Sequence, residues 1–159
     1  MPYDTIYEIC LQLDYDDIDA LCKSEVIMDI CGNKFFWMDK LRHDGIPFSP
    51  NYTVNQLKIL YRYKKKLINK NNTYVTYRVD NLSDVISYLP EQVTYKLGPI
   101  VVNPIHKATP IKIIFWNNGT YKVNIFNGTL KVIDITEQEA LQLIEDLDNY
   151  IHTKKLAYA

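Results

Sequence analysis

The chain has 159 residues, a formal net charge of −1, and 47% hydrophobic against 23% charged residues. Those figures exclude a large multidomain enzyme and a disordered or fibrous chain, and they allow one core or two small ones. Usage within the classes is uneven: 19 Ile, 15 Lys, 13 Asn and 13 Tyr stand against 5 Ala and 3 Arg, a bias toward A/T-rich codons.

Summed along the chain the charge separates, with −6 over residues 1–50, +7 over 51–78, +1 over 79–135 and −3 over 136–159. No stretch approaches the roughly 18 consecutive apolar residues of a membrane span. Met1-Pro2-Tyr3-Asp4 has neither the basic nor the apolar region of a signal peptide, so an intracellular protein is expected. The Asn-x-Ser/Thr sequences at Asn51, Asn71, Asn81, Asn118 and Asn127 follow from a chain rich in Asn and Thr and carry no weight.

From Asp4 to Leu13, the residues Ile6, Ile9, Cys10 and Leu13 share one helical face. Asp14 to Asp17 supplies a cap and a first turn, and Ile18, Leu21 and Cys22 mark a second short helix. A third runs from Ser24, with Ile27, Ile30 and Cys31 inward, and stops at Gly32-Asn33. A fourth, Lys34 to Asp44, carries Phe36, Trp37 and Leu41 and is ended by Gly45 and Pro47. Cys10, Cys22 and Cys31 lack CxxC spacing and each adjoins an aliphatic residue, so buried free thiols are expected.

Four such short helices are unstable alone and must pack together or on a partner. The run Met1-Pro2-Tyr3-Asp4, Ile6, Ile9, Leu13, then Asp17-Ile18, Leu21-Cys22, Ile30-Cys31 and Phe36-Trp37 resembles the F-box. It is similar in particular to the F-box-like domains at the N-termini of many proteins of giant DNA viruses that infect amoebae, a source that suits the residue usage. The sequence departs from that pattern at Met1, where the family has Leu, and at Glu25-Val26, where many members carry a small polar residue followed by Lys or Arg. The resemblance implies that the first helices lie in a groove of a Skp1-type adaptor of a cullin ubiquitin ligase. The partner-binding residues it implies are Pro2, Ile6, Ile9, Leu13, Ile18 and Leu21. The residue pattern alone leaves open that these pack against the rest of the chain.

Thr53 to Leu67 follows with Leu57, Leu60, Tyr61 and Lys64 at helical spacing. Its other face holds Lys58, Arg62, Lys64, Lys65 and Lys66, with Lys70 beyond, among Tyr61 and Tyr63. Three readings apply to this block: a grip on a nucleic-acid backbone, a solvated helix end, and a surface that docks on the acidic N-terminal quarter.

Thr73 to Val79 alternates as a strand, Ser83 to Leu89 reads as a short helix, Gln92 to Leu97 as a strand, and Asn103 to Pro110 as a loop. Asn118-Gly119 and Asn127-Gly128 predict two-residue hairpin turns between strands at Ile111 to Asn117, Thr120 to Phe126 and Thr129 to Ile135. That register places Ile114, Val123 and Val132 in one row, with Trp116, Tyr121, Ile125 and Leu130 on the same face. The half-polar opposite face, around Ile113, Phe115, Phe126 and Ile133, is then a target surface. Thr136 and Glu139 form a capping box for a last helix with Ala140, Ile144, Leu147 and Ile151 as its apolar stripe.

No nucleotide-binding, metalloprotease or nucleophile-elbow motif is present. His43, His106 and His152 are too scattered for a metal site or a triad, and Asp14, Asp16, Asp17 and Asp19 read as helix capping. No catalytic residue, metal or cofactor is expected. The sequence therefore predicts an α+β protein: an F-box-like helical module over residues 1–48, a basic connecting helix over 49–71, and an α+β domain of unknown family over 72–159. The expected function is an adaptor that joins a Skp1-like subunit to a protein target. The alternatives are a nucleic-acid-binding protein using the 58–70 segment and a viral interaction or structural protein with no ligase link.

Overall fold

The structure, a computed structural model, describes residues 3–23, 28–79, 109–126 and 130–158, together with Glu91 and Thr94. The chain divides into two compact units, Met1–Lys65 and Lys66–Ala159. The architecture is α+β: helices at the N-terminus, then a four-stranded antiparallel sheet and a C-terminal helix that packs on it.

The first unit holds α1 (Tyr3–Gln12), α2 (Tyr15–Cys22), α3 (Met28–Cys31) and α4 (Lys34–His43), and α5 (Val54–Lys66) to its penultimate residue. Side-chain caps start three of them. Asp14 accepts from Asp17 N at 2.9 Å, Asn33 accepts from Phe35 N at 2.9 Å, and Thr53 with Gln56 forms a reciprocal capping box. The Thr53 box has the same spacing as the one at Thr136.

Helix α4 is the centre of this unit. Phe36, Trp37 and Leu41 are buried, with Phe36 edge-on to Tyr7 of α1 and Trp37 tilted against Tyr15 of α2 and Tyr61 of α5. At its C-terminus Gly45 takes a positive φ of 71°, its N–H reaches Arg42 O, and Ile46 N–H reaches Leu41 O, the paired bonds of a Schellman cap. From there the chain doubles back, since Lys34 Nζ at the start of α4 donates to Pro50 O at 2.6 Å. The return lets α4 and α5 run side by side in the same direction. Trp37 meets Lys58 and Tyr61, and one turn or two further on Asp44 meets Tyr61 and Lys65.

The cysteines differ from expectation. Cys10 is free and buried, but Cys22 and Cys31 are joined in a disulfide with a Cα–Cα distance of 5.8 Å. Spacing gave no sign of it, because the bond links the ends of two helices rather than a CxxC loop. In the chain-entropy account, closing a loop with a sequence separation of 9 stabilises by about 2–3 kcal/mol. Dithiothreitol or Cys31→Ser is therefore expected to lower the stability of the first unit by that amount, read from urea unfolding with and without reductant.

In the second unit, β1 (Asn72–Val79), β2 (Thr109–Trp116), β3 (Tyr121–Phe126) and β4 (Leu130–Ile135) pair in sequence order, and α6 (Glu137–Tyr158) follows. The register is one residue away from the predicted one. Ile113 pairs with Val123 and Val123 with Ile133, not Ile114 with Val123 and Val132. The reason lies in the turn. A two-residue Asn-Gly turn needs positive φ at both residues, but here Gly119 alone has it, at 86°. Asn118 instead uses its carbonyl oxygen to accept from Thr120 N at 3.0 Å, and Trp116 N–H bonds Thr120 O. The loop is thus three residues, Asn117 to Gly119, with glycine in the left-handed position. Phe126 likewise pairs with Leu130, four residues on, and the Asn127-Gly128 turn itself lies outside the described residues.

Because a one-residue slip exchanges the two faces of a strand, the shift sorts the side chains cleanly. Ile111, Ile113 and Phe115, Tyr121, Val123 and Ile125, and Ile133 all share the buried face. Helix α6 covers it with Ala140, Leu141, Ile144 and Leu147, while Tyr77 donates to Asp148 at 2.7 Å and Tyr121 donates to Glu137. The Thr136 capping box forms as predicted, at 2.9 and 3.1 Å. Two segment assignments change. Thr94 is helical, which overturns the strand at that residue, and β2 begins at Thr109, so the loop ends before Pro110. Proline is tolerated near the start of a strand, where its missing N–H matters least. The helix read over Ser83 to Leu89 lies outside the described residues.

Candidate partner-binding surface

Helix α1 was expected to turn Ile6, Ile9, Cys10 and Leu13 to one side. Its buried line runs instead through Cys10, with Tyr7 half-buried against Phe36 and donating to Asp39. Ile6, Ile9 and Leu13 fall within an arc of roughly 60° next to that line. There Ile6 and Leu13 are half-buried and Ile9 is 45% exposed. Leu21 on α2 is 40% exposed, whereas Ile18 is fully buried in the unit and makes core contacts, not surface ones. Pro2 lies outside the described residues. An apolar flank therefore runs along α1, and of the residues implied by the F-box resemblance Ile9 and Leu21 are the most open to a partner.

Beneath that flank is a polar network that the sequence did not announce. Lys40 is 1% exposed, and its Nζ donates to the carbonyl of Leu11 in the last turn of α1. That carbonyl is one of the orphan acceptors of a helix C-terminus, where a cation is favoured. The same Nζ lies 3.9 Å from Asp44 Oδ2 and 5.3 Å from the centre of the Tyr61 ring. Asp44 accepts from the Tyr61 hydroxyl at 2.5 Å and stands 3.0 Å from His43 Nδ1 and 3.6 Å from Lys65. Burial holds the Lys40 ammonium below the usual lysine range, against the attraction of Asp44. Burial opposes ionisation of Asp44 too, yet the Tyr61 and His43 bonds and the two lysines together hold its carboxyl below the usual range. Burial and Asp44 push the Tyr61 hydroxyl up, and burial raises the Cys10 thiol. In sequence, Lys40 and Asp44 look like an ordinary surface pair four residues apart on a helix. Only the packing of α1 and α5 over them makes the pair internal.

The basic block of α5 is largely spent on its own unit. Lys58 Nζ lies 5.8 Å from the centre of the Trp37 ring and its pKa is lowered by burial despite Asp19. Arg62 stacks on Tyr15 and Tyr63, and Lys65 pairs with Asp44. These contacts turn Lys58, Arg62 and Lys65 toward aromatic rings and toward Asp44 of the first unit. Lys64 is half-buried and Lys66 exposed.

The predicted target surface changes as well. Ile113, Phe115 and Ile133 are buried under α6, and of the four named residues Phe126 alone is exposed, at 52%. Leu130 and Val132 join it on the far face of the sheet. An open groove of about 510 Å³ in the first unit is lined by Met38, Arg42, Ile46, Pro47, Phe48 and Pro50. It is apolar, with Arg42 stacked over Phe48 and paired to Asp39, and it contains no acid–base pair aimed at a substrate. Among the described residues no group of three or more His, Cys, Asp or Glu is placed to hold a metal ion, and no helix is long and apolar enough to cross a membrane. His43 serves Asp44, His152 is exposed and His106 lies outside the described residues. Comparison of the chain with protein families, with curated proteins and with solved structures finds no match.

Proposed function

We propose that the protein is a two-part adaptor whose first unit docks on a Skp1-type subunit of a cullin ubiquitin ligase and whose second unit selects a target. It acts by proximity, without catalysis. The observation that carries this reading is the half-open apolar flank of Ile6, Ile9 and Leu13 on α1, with Leu21 exposed on α2, in a unit that already has a filled core of its own. Apolar side chains left at the surface of a packed helical unit suit a partner groove. Ile18 takes no part, since it is spent on the core. In the reducing cytosol, where such a ligase works, Cys22 and Cys31 would stand as thiols, so the adaptor must function without the constraint of their bond.

Binding of the full chain to a purified Skp1-type protein tests the reading. Ile9→Asp together with Leu21→Asp is expected to abolish capture and leave the thermal unfolding temperature nearly unchanged, because both residues are exposed. Ile18→Asp is expected to unfold the first unit by burying an unpaired charge. Failure of the unsubstituted chain to bind, or binding that survives the double substitution, overturns the proposal.

A further inference from the structure

The face of the sheet turned away from α6 has a pattern of its own. Its pairings give three adjacent rows across β1 to β4: Tyr74, Ile114, Lys122 and Asp134; Thr76, Lys112, Asn124 and Val132; and Arg78 with Pro110, beside Phe126 with Leu130. Two diagonals cross at Lys112. Tyr74, Lys112 and Phe126 form one, and Arg78, Lys112 and Lys122 form the other. Tyr74 and Phe126 are 54% and 52% exposed, Arg78 is exposed, and Lys112 Nζ lies 4.0 Å from the centre of the Tyr74 ring. With strands about 4.8 Å apart and about 3.4 Å per residue, the two aromatic rings sit roughly 16 Å from one another.

Charge is segregated across the sheet. On the α6 side, residues 137–148 contain five acids and no base. On the opposite face, among the described residues, Arg78, Lys112 and Lys122 meet one carboxylate, Asp134, which lies 3.7 Å from Lys122 and is itself 78% exposed. Two buried polar atoms on this face, Trp116 Nε1 and Asn124 Oδ1, have no hydrogen-bond partner among the described residues.

We infer that this face binds a single-stranded nucleic acid. Bases stack on Tyr74 and Phe126, and the backbone runs along the diagonal between them with its phosphates on Lys112 and the flanking Arg78 and Lys122. Aromatic platforms interleaved with cations suit unpaired bases, whose faces a duplex hides. The inference goes beyond the adaptor reading and does not rest on it.

Fluorescence anisotropy of the full chain with labelled oligo(dT) and oligo(U) at low salt tests it. Saturable binding is expected, weaker for a duplex, with a log–log salt slope of about −2 for three phosphate contacts. Tyr74→Ala and Phe126→Ala are each expected to weaken binding by about ten-fold, and Lys112→Gln to flatten the salt slope by about 0.7. Both aromatic residues are half-exposed, and circular dichroism checks that the variants stay folded. No binding at low salt overturns the inference. So does binding that survives loss of both aromatic residues and disappears with Lys64→Gln, Lys65→Gln and Lys66→Gln, or a duplex bound as tightly as the single strand. A protein ligand lost on Phe126→Ala while no oligonucleotide binds overturns it as well.

Discussion

Asp44→Asn is expected to lower the stability of the first unit by about 3–5 kcal/mol, the loss typical of breaking a buried ion pair from one side. The substitution keeps the shape of the side chain and takes away its charge, leaving the ammonium of Lys40 at 1% exposure with the Leu11 carbonyl, the Tyr61 ring and the weaker attraction of Asp14. Adding Lys40→Met removes the stranded charge and should restore most of the loss, short of about 1 kcal/mol for the Leu11 carbonyl that loses its donor. The pH dependence gives an independent check. The folded state holds the Asp44 carboxyl below the ordinary carboxylate range, so the unfolded chain binds more protons in that window. The stabilisation is therefore complete above the ordinary value and is lost as pH falls through the folded one. That acid limb should disappear in Asp44→Asn. In the same variant the deficit should shrink as pH rises toward alkaline values, because Lys40, whose pKa burial already depresses, escapes by releasing its proton. Urea unfolding followed by Trp37 fluorescence in a Trp116→Phe background measures all of this. A single variant as stable as the parent, or a double variant no better than the single, would show that the pair contributes little.

That network also marks the limit of what was legible in advance. Elements with strong periodicity or a defined cap were readable: α1, α4 and α5 from their apolar spacing, and α6 from Thr136 and Glu139. Which apolar residues stay outside was not. A helical pattern locates an amphipathic face to within about one residue in the turn, and on α1 that margin separates buried Cys10 from exposed Ile9. The same margin decided the sheet. Asn118-Gly119 announced a hairpin correctly, but the backbone choice between two loop residues and three lies in the φ of Asn118, which no composition rule fixes. From that single residue followed the exchange of Ile113 and Phe115 from a half-polar target face to the core, and Ile133 joined them through the second turn, where Phe126 pairs with Leu130. Pairings between separate elements, Cys22 with Cys31 and Lys40 with Leu11, depend on tertiary packing and leave no periodic trace at all.

The second large effect is expected at Trp37, which ties together more of the first unit than any apolar count suggests. Its ring is 1% exposed and packs 5.2 Å from Phe36, 6.2 Å from Tyr15 and 6.1 Å from Tyr61, measured between centroids. Its Nε1 donates to Cys31 O at 2.9 Å, a bond that anchors the four-residue α3 to α4. Trp37→Ala should cost about 3–5 kcal/mol through the cavity it leaves. Trp37→Phe retains a smaller ring and orphans the Cys31 carbonyl, so the loss of that bond, about 1–3 kcal/mol, adds to a reduced cavity cost. If α3 is held chiefly by that bond, Trp37→Phe should also open the Cys22–Cys31 pair to faster reduction, read as the rate of thiol release under dithiothreitol. An unchanged rate would mean that the disulfide region is fixed by other contacts. The consequence for partner binding separates support from contact. Trp37→Ala should lose capture of a Skp1-type protein only at temperatures where the unit has begun to unfold, whereas Ile9→Asp with Leu21→Asp should lose it at every temperature with the fold intact. Equal temperature dependence for the two would place the apolar flank of α1 in the fold and remove it from the interface.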